Sequence, residues 1–307
     1  MSPRLSAAPR STDPTDHRPA PRVLSIAGTD PTGGAGIQAD LKSIAANGGY
    51  GMAVVTALVA QNTMGVRSVH IPPVEFLTEQ LDSVSDDVEI DAVKIGMLAN
   101  SAIIEAVADW LRRQRPPVVV LDPVMVATSG DRLLDERAVD AIRELVRHAD
   151  LVTPNIPELA VLADEATVSR WDDVLKQAHR VSTTYGVTVL AKGGHLDDRY
   201  APDALVDAAG QLSGGRDVVE FAGERIETTN THGTGCSLSS ALATLRLRSP
   251  GWEDAVDRAK RWLTESIAHG AELQVGHGNG PISHFAGLWA AHDPSLPDRP
   301  TRARAAA

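Results

Sequence analysis

The stretch THGTGCSLSSALATL, residues 231–245, sets the only cysteine of the 307-residue chain directly after a Gly-Thr-Gly turn and at the head of an apolar helix. The first amides of a helix have no intrahelical acceptor and sit at the positive end of the macrodipole. Gly233, Thr234, Gly235 and Cys236 can therefore offer several N–H donors to an anion, and a phosphate fits there. The same glycines also suit a tight turn leading into an ordinary buried cysteine, and the stretch alone leaves both readings open. Other residues could do chemistry beside it. Asp122 ends an otherwise apolar run, Asn155 and Glu158 follow a second, and Lys192 closes a third. Together they suit a magnesium ion (Mg2+) held through waters and a cation facing a nucleotide triphosphate; singly, each also suits a cap, a turn or a solvated charge.

Such residues need strand and helix ends to position them. RVLSIAG reads as a buried strand, and GIQADLKSIAANGG as a helix with Ile37, Leu41, Ile44 and Ala45 on one face and a glycine pair to stop it. The alternation continues through AVVTALVA, DAVKIGML, SAIIEAVADWLRRQ, PPVVVLDP, ERAVDAIRELVRHA, DLVTPN, WDDVLKQAHRVSTTYG and VTVLAKGG. Runs such as VVVL and VTVL are apolar at every position, so both faces must be covered. The expected fold is α/β, a mostly parallel central sheet with helices on both faces. DALVDAAGQL and VVEFAGERIET suit a more antiparallel pair near one edge, and only helices follow. Ligands of such sheets collect at the carboxyl ends of the strands, where the residues singled out above fall. The glycine-rich GTDPTGGAG after the first strand lacks both the Gly-Lys-Ser/Thr of a P-loop and the spacing of a dinucleotide fingerprint.

Composition narrows the function. A net charge of −11 argues against a nucleic-acid partner held through its phosphates and favours small molecules. A lone cysteine makes no internal disulfide, which suits a reducing, cytoplasmic setting. No apolar run is long enough for a membrane span. Residues 1–21 read as a disordered leader, 22–290 as one α/β domain and 291–307 as a disordered tail.

The ordered set SIAGTDPTGGAGIQADLK, VTALVAQNT, KIGML, LDPVM, TPNIPE, KGGH and NTHGTGC resembles the hydroxymethylpyrimidine and phosphomethylpyrimidine kinases of thiamine biosynthesis, from about Val23 to about Phe285. The resemblance implies a ribokinase-like three-layer sandwich. It also implies phosphorylation of 4-amino-5-hydroxymethyl-2-methylpyrimidine and then of its monophosphate, with ATP and magnesium consumed in both steps. Carried over residue by residue, it assigns the pyrimidine pocket to Gly28, Asp30, Ala35, Val59, Gln61, Met97 and Val124, and the ATP side to Asn155, Lys192, Thr231 and His232. Asp122 and Glu158 are assigned to the metal. Gln61 has independent chemical support, because one carboxamide complements both the ring nitrogen and the adjacent amino group of an aminopyrimidine. Cys236 stands where most ribokinase-like kinases carry an aspartate base. A helix terminus lowers a thiol toward neutrality, so a thiolate base is expected there. Kinases of this group are often homodimers. The alternatives are a pyridoxine or pyridoxal kinase, against which Gln61 argues, and a catalytically silent pyrimidine-binding protein.

Overall fold

The computed structural model describes residues 20–125, 136–194, 196 and 200–292. The leader expected over 1–21 and the tail over 291–307 fall almost wholly outside this range, as does His195 of the KGGH stretch.

The parallel strands β1 (Arg22–Ala27), β2 (Tyr50–Val55), β5 (Ala92–Ile95), β6 (Val119–Leu121), β7 (Leu151–Val152) and β8 (Thr188–Lys192) form the body of the main sheet. The antiparallel β9 (Asp203–Val206) and β10 (Val218–Phe221) complete it, in the order β10-β9-β8-β7-β6-β5-β1-β2. A separate antiparallel hairpin pairs β3 (Leu58–Asn62) with β4 (Gly65–His70).

Strand alternation divides the core in two. Leu24, Ile26, Val93, Ile95, Val119, Leu121, Val152 and Val189 pack with α2 (Val74–Ser85), α3 (Ser101–Gln114), α4 (Glu136–Val146), α5 (Ile156–Ala163) and α6 (Trp171–Tyr185). Val23, Ala92, Val120, Leu151, Leu190 and Leu205 face α1 (Gly36–Ala46), α7 (Thr234–Arg246) and α8 (Trp252–Ala268). A short α9 (Ala286–His292) ends the described chain. The expected three layers are present.

Three differences from the sequence reading have physical causes. The run AVVTALVA is two strands in two sheets. Thr56 donates its N–H to Ala27 C=O (3.0 Å) and its hydroxyl to Met97 C=O (2.6 Å), ending β2, and the chain then leaves the sheet as β3. One threonine in an otherwise apolar run does not announce such a crossing. β4 and α2 were not anticipated, because β4 is largely exposed and α2 buries only Leu77 and Leu81. On α1 the buried set is Ala39, Asp40, Ser43 and Ile44, whereas Ala45 is exposed.

The burial of Asp40 follows from Lys94 on β5. Neither side chain of this pair is exposed (0%/0%), and Lys94 Nζ lies 2.7 and 2.8 Å from the two carboxylate oxygens. Ser25 and Ser240 donate to the same carboxylate at 2.6 and 2.9 Å, completing the partners that a buried ion pair requires.

Near the carboxyl end, His284 is buried with Nε2 2.9 Å from Ser237 Oγ at the start of α7. Burial, with the nearby Lys42 charge, pushes its pKa down to about 4. The unfolded state therefore binds the extra proton between pH 6.5 and 4, and this group's contribution to stability is lost as pH falls through that window. Relative to His284→Gln, the wild-type chain is expected to lose stability by up to about 3 kcal/mol between pH 7 and pH 4. Chemical denaturation across that range measures the difference, and a constant difference contradicts the burial argument.

Candidate active site

A cavity of about 820 Å³ opens at the carboxyl ends of the parallel strands. Its walls come from the ends of β1, β6 and β8, the residue after the Ile95-Gly96 strand end (Met97), the β3–β4 hairpin and the starts of α5 and α7. This is a volume typical of small-molecule sites.

Two glycine turns meet at its centre. Gly233, at φ +79°, caps α7, and a Cβ there would lie 1.8 Å from Gly34 C=O. Gly36, at φ +56°, would place a Cβ 2.4 Å from Gly28 C=O. Only glycine supplies both the left-handed conformation and the missing side chain. Asp30 organises the first turn. Its carboxylate accepts from the amides of Thr32, Gly34 and Ala35 at 2.9, 3.1 and 2.8 Å, and from the Thr32 hydroxyl at 2.7 Å. His232 Nε2 lies 2.8 Å from Asp30 and joins the second turn to the first. Burial works against the Asp30 charge, but His232, Thr32 and Ala35 outweigh it and hold the carboxyl well below its ordinary range.

Thr234 N–H turns back to Thr231 C=O at 3.3 Å, and Ser237 N–H makes the first α-helical bond, to Gly233 C=O at 2.9 Å. Gly235 and Cys236 fall before the point where intrahelical acceptors begin, so their amides remain as donors at the cavity wall. A Cβ on Gly235 would lie 3.3 Å from Asp122 Oδ2 and 3.5 Å from Lys192 Nζ, so glycine lets the helix start press against a charged pair. In that pair Lys192 donates to Asp122 Oδ1 at 3.2 Å, and Thr153 donates to the same oxygen at 3.1 Å. Burial opposes the Lys192 charge, but Asp122 and Glu158 outweigh it and raise its pKa.

Asn155 and Glu158 form a reciprocal capping box on α5. Asn155 Oδ1 accepts from Glu158 N–H, and Glu158 Oε2 accepts from Asn155 N–H, both at 2.9 Å. Both residues also line the cavity. Burial, reinforced by the Asp122 charge against the pull of Lys192, moves the Glu158 carboxyl well above the ordinary range.

Cys236 corrects the expected chemistry. Burial pushes its thiol up to about 11; Lys94 pulls it down, Asp40 and Asp122 push it up, and a Gly36 N–H donated to the sulfur pulls it down. The positive end of α7 does not offset the loss of water, and the group is a protonated thiol at neutral pH rather than the expected thiolate.

At the other end of the cavity Gly28, Ala35, Val59, Gln61, Met97 and Val124 come together. In the hairpin a register shift between Ala60 and Gln61 sets Val66, rather than Arg67, opposite Gln61, and Val66 lines the cavity as well. The structure thus brings every expected site residue to the cavity wall except Asp30. That side chain is fully buried, and its oxygens are engaged by the amides and hydroxyl of its own turn and by His232. Sequence reasoning missed Thr29, whose hydroxyl accepts Val59 N–H at 3.0 Å, and Lys260 of α8, which pairs with Asp203. Thr29 lies inside a motif already quoted, but Lys260 looks like any solvated charge on an amphipathic helix.

The central sheet with helices on both faces, and the amide-lined start of α7 beside a strand-end cation, place the chain in the ribokinase-like fold class. A family model described as phosphomethylpyrimidine kinase matches residues 30–283, and the chain belongs to that family. It is 54% identical over 265 residues to the thiamine biosynthesis multifunctional protein ThiED of Corynebacterium glutamicum, covering 86% of this chain and 34% of that protein. A similar relative from Corynebacterium efficiens is covered to 35%, so the chain spans about a third of the length of these multifunctional relatives. It is also 50% identical over 268 residues to the hydroxymethylpyrimidine/phosphomethylpyrimidine kinase of Escherichia coli, covering 87% of this chain and 98% of that one. Among solved structures, the ADP complex of Bacillus subtilis pyridoxal kinase superposes with a TM-score of 0.78 at 32% identity, covering 88% of this chain and 99% of that chain.

The state of the thiol is directly measurable. Alkylation of Cys236, the only cysteine, is expected to be slow at neutral pH and to accelerate about tenfold per pH unit up to about 11. A plateau near pH 7 contradicts the raised thiol.

Proposed function

We propose that the chain transfers the γ-phosphoryl group of ATP to the hydroxymethyl oxygen of 4-amino-5-hydroxymethyl-2-methylpyrimidine, and a second phosphoryl group to the resulting monophosphate, in thiamine biosynthesis. The observation that carries this reading is one cavity joining Gln61, among the apolar walls of Val59, Met97 and Val124, to the amide donors at the start of α7. The names of the Escherichia coli and Corynebacterium glutamicum relatives support it.

In this reading the Gln61 carboxamide pairs with the ring nitrogen and amino group and turns the hydroxymethyl arm toward α7. The hydroxymethyl oxygen forms the new bond to phosphorus, the bond to the bridging oxygen breaks, and ADP leaves. The amides of Gly235 and Cys236, Lys192 and the ATP-side residues Asn155, Thr231 and His232 bind the phosphates and neutralise the charge that develops. Cys236 takes the hydroxyl proton once ionised. At neutral pH that fraction is small, so charge neutralisation supplies most of the acceleration.

Asp122 and Glu158 are the residues that would hold magnesium. Among the described residues no group of three or more His, Cys, Asp or Glu side chains could hold a metal alone. Asp122 and Glu158 instead suit an ion held through waters, and a nearby cation would favour the ionised form of the Glu158 carboxyl that burial disfavours. When bound, the ion supplies charge neutralisation at the phosphates. No helix among the described residues is long and apolar enough to cross a membrane. A cytoplasmic site for the reaction remains part of the proposal, supported by the free thiol.

ADP release measured with the hydroxymethylpyrimidine, its monophosphate and pyridoxal tests the assignment. Turnover of both pyrimidines above pyridoxal is expected; preference for pyridoxal selects the pyridoxal kinase reading, and no turnover selects the silent binder. Gln61→Leu should weaken the pyrimidine by about 1–3 kcal/mol, read as a higher KM, with little change in KM for ATP. Equal effects on both substrates would remove Gln61 from the ring end. Glu158→Gln should raise the magnesium concentration needed for half-maximal rate, and an unchanged titration would take Glu158 away from the metal.

A further inference from the structure

The β3–β4 hairpin carries Val59, Gln61 and Val66 to the cavity yet has almost no core of its own. Of its strand residues only Val59 is buried, whereas Leu58 is 52% exposed and Met64 at the tip 71%. An isolated two-stranded hairpin is at best marginally stable, so something else must hold its tip.

That hold is Thr63. Its hydroxyl accepts the N–H groups of His277 and Gly278, both at 3.2 Å, and its C=O accepts Asn279 N–H at 3.0 Å. The fit depends on glycine. A Cβ on Gly276 would lie 2.2 Å from Thr63 Oγ1, and one on Gly278 would lie 2.1 Å from Thr63 C=O. The same strap then runs to the anion end of the cavity. Gly280 C=O accepts His232 N–H at 3.1 Å, Pro281 bridges to His232, and His284 meets Ser237 of α7.

We propose that Thr63 is a positioning residue, and that its latch onto residues 276–279 holds Gln61 over the ring-binding end of the cavity at a set distance from the amides of α7. The kinetic consequence rests on the pyrimidine reading above; the latch itself does not. Thr63→Val removes the hydroxyl acceptor at nearly constant shape, Thr63→Ser keeps it, and Gly278→Ala pushes the strap off Thr63 without demanding a left-handed residue.

Hydrogen exchange on the unliganded full chain and steady-state kinetics test this together. In Thr63→Val and Gly278→Ala, amides of residues 58–70 should exchange about tenfold faster while those of β1 and β5 stay protected. KM for the hydroxymethylpyrimidine should rise about tenfold, with KM for ATP little changed, and Thr63→Ser should behave as the wild-type chain. Unchanged hairpin exchange in both disruptive variants overturns the latch, as does loss of protection across the whole sheet, which marks a merely structural role. Faster hairpin exchange with an unmoved pyrimidine KM overturns the positioning role. A wild-type chain that turns over no pyrimidine defeats the functional reading alone, because exchange still reports on the latch.

Discussion

The approach of Gly34 and Gly233 is the constraint on which the site rests. With 1.8 Å between the Gly34 carbonyl oxygen and the place where a Gly233 Cβ would sit, the turn after β1 and the turn before α7 form one packed unit. That contact sets the start of α7 beside the ends of β6 and β8, and so sets amide donors beside Lys192. Asp30 and His232 hold the two turns from either side. The cavity depends on a backbone approach that side chains would prevent, which is why its charged residues can sit on rigid strand ends and still act on a common point.

Charge beneath that contact is arranged in pairs. Asp40 is matched with Lys94 and Asp122 with Lys192, while Glu158 is left with a raised carboxyl between Asp122 and Lys192. Cys236 lies above the first pair, where burial and two carboxylates favour its neutral form over the pull of Lys94. The floor of the site therefore favours the neutral thiol over a thiolate. In the proposed reaction the protein would supply preorganised donors where charge develops, with proton transfer the smaller part of the work.

Much of this was legible in the sequence, for reasons that differ by residue. Strands such as VVVL are apolar on both faces, which requires covering layers, and residues at strand ends before Gly, Asn or Pro had to lie on one rim. Gln61 was placed by the resemblance, with its carboxamide chemistry as support, and the glycines of 233–235 were legible through the turn they allow. What stayed hidden was whatever depends on distant partners. The burial of Asp40 on α1 requires Lys94, 54 positions away, and no helical pattern announces it. The step from β2 into a second sheet at Thr56 is marked only by one threonine in an otherwise apolar run, which strands also carry. The retirement of Asp30 into its own turn, and a thiol pushed upward rather than downward, are balances of burial against hydrogen bonds and charge that appear only when the pocket has a shape.

The most direct measurement is a crystal structure of the chain with a non-hydrolysable ATP analogue, magnesium and the hydroxymethylpyrimidine. The account predicts the terminal phosphate on the amides of Gly235 and Cys236 with Lys192 alongside, and the pyrimidine ring against Gln61 with its hydroxymethyl oxygen directed at the terminal phosphorus. A terminal phosphate bound away from the start of α7, or a ring seated without contact to Gln61, would contradict it.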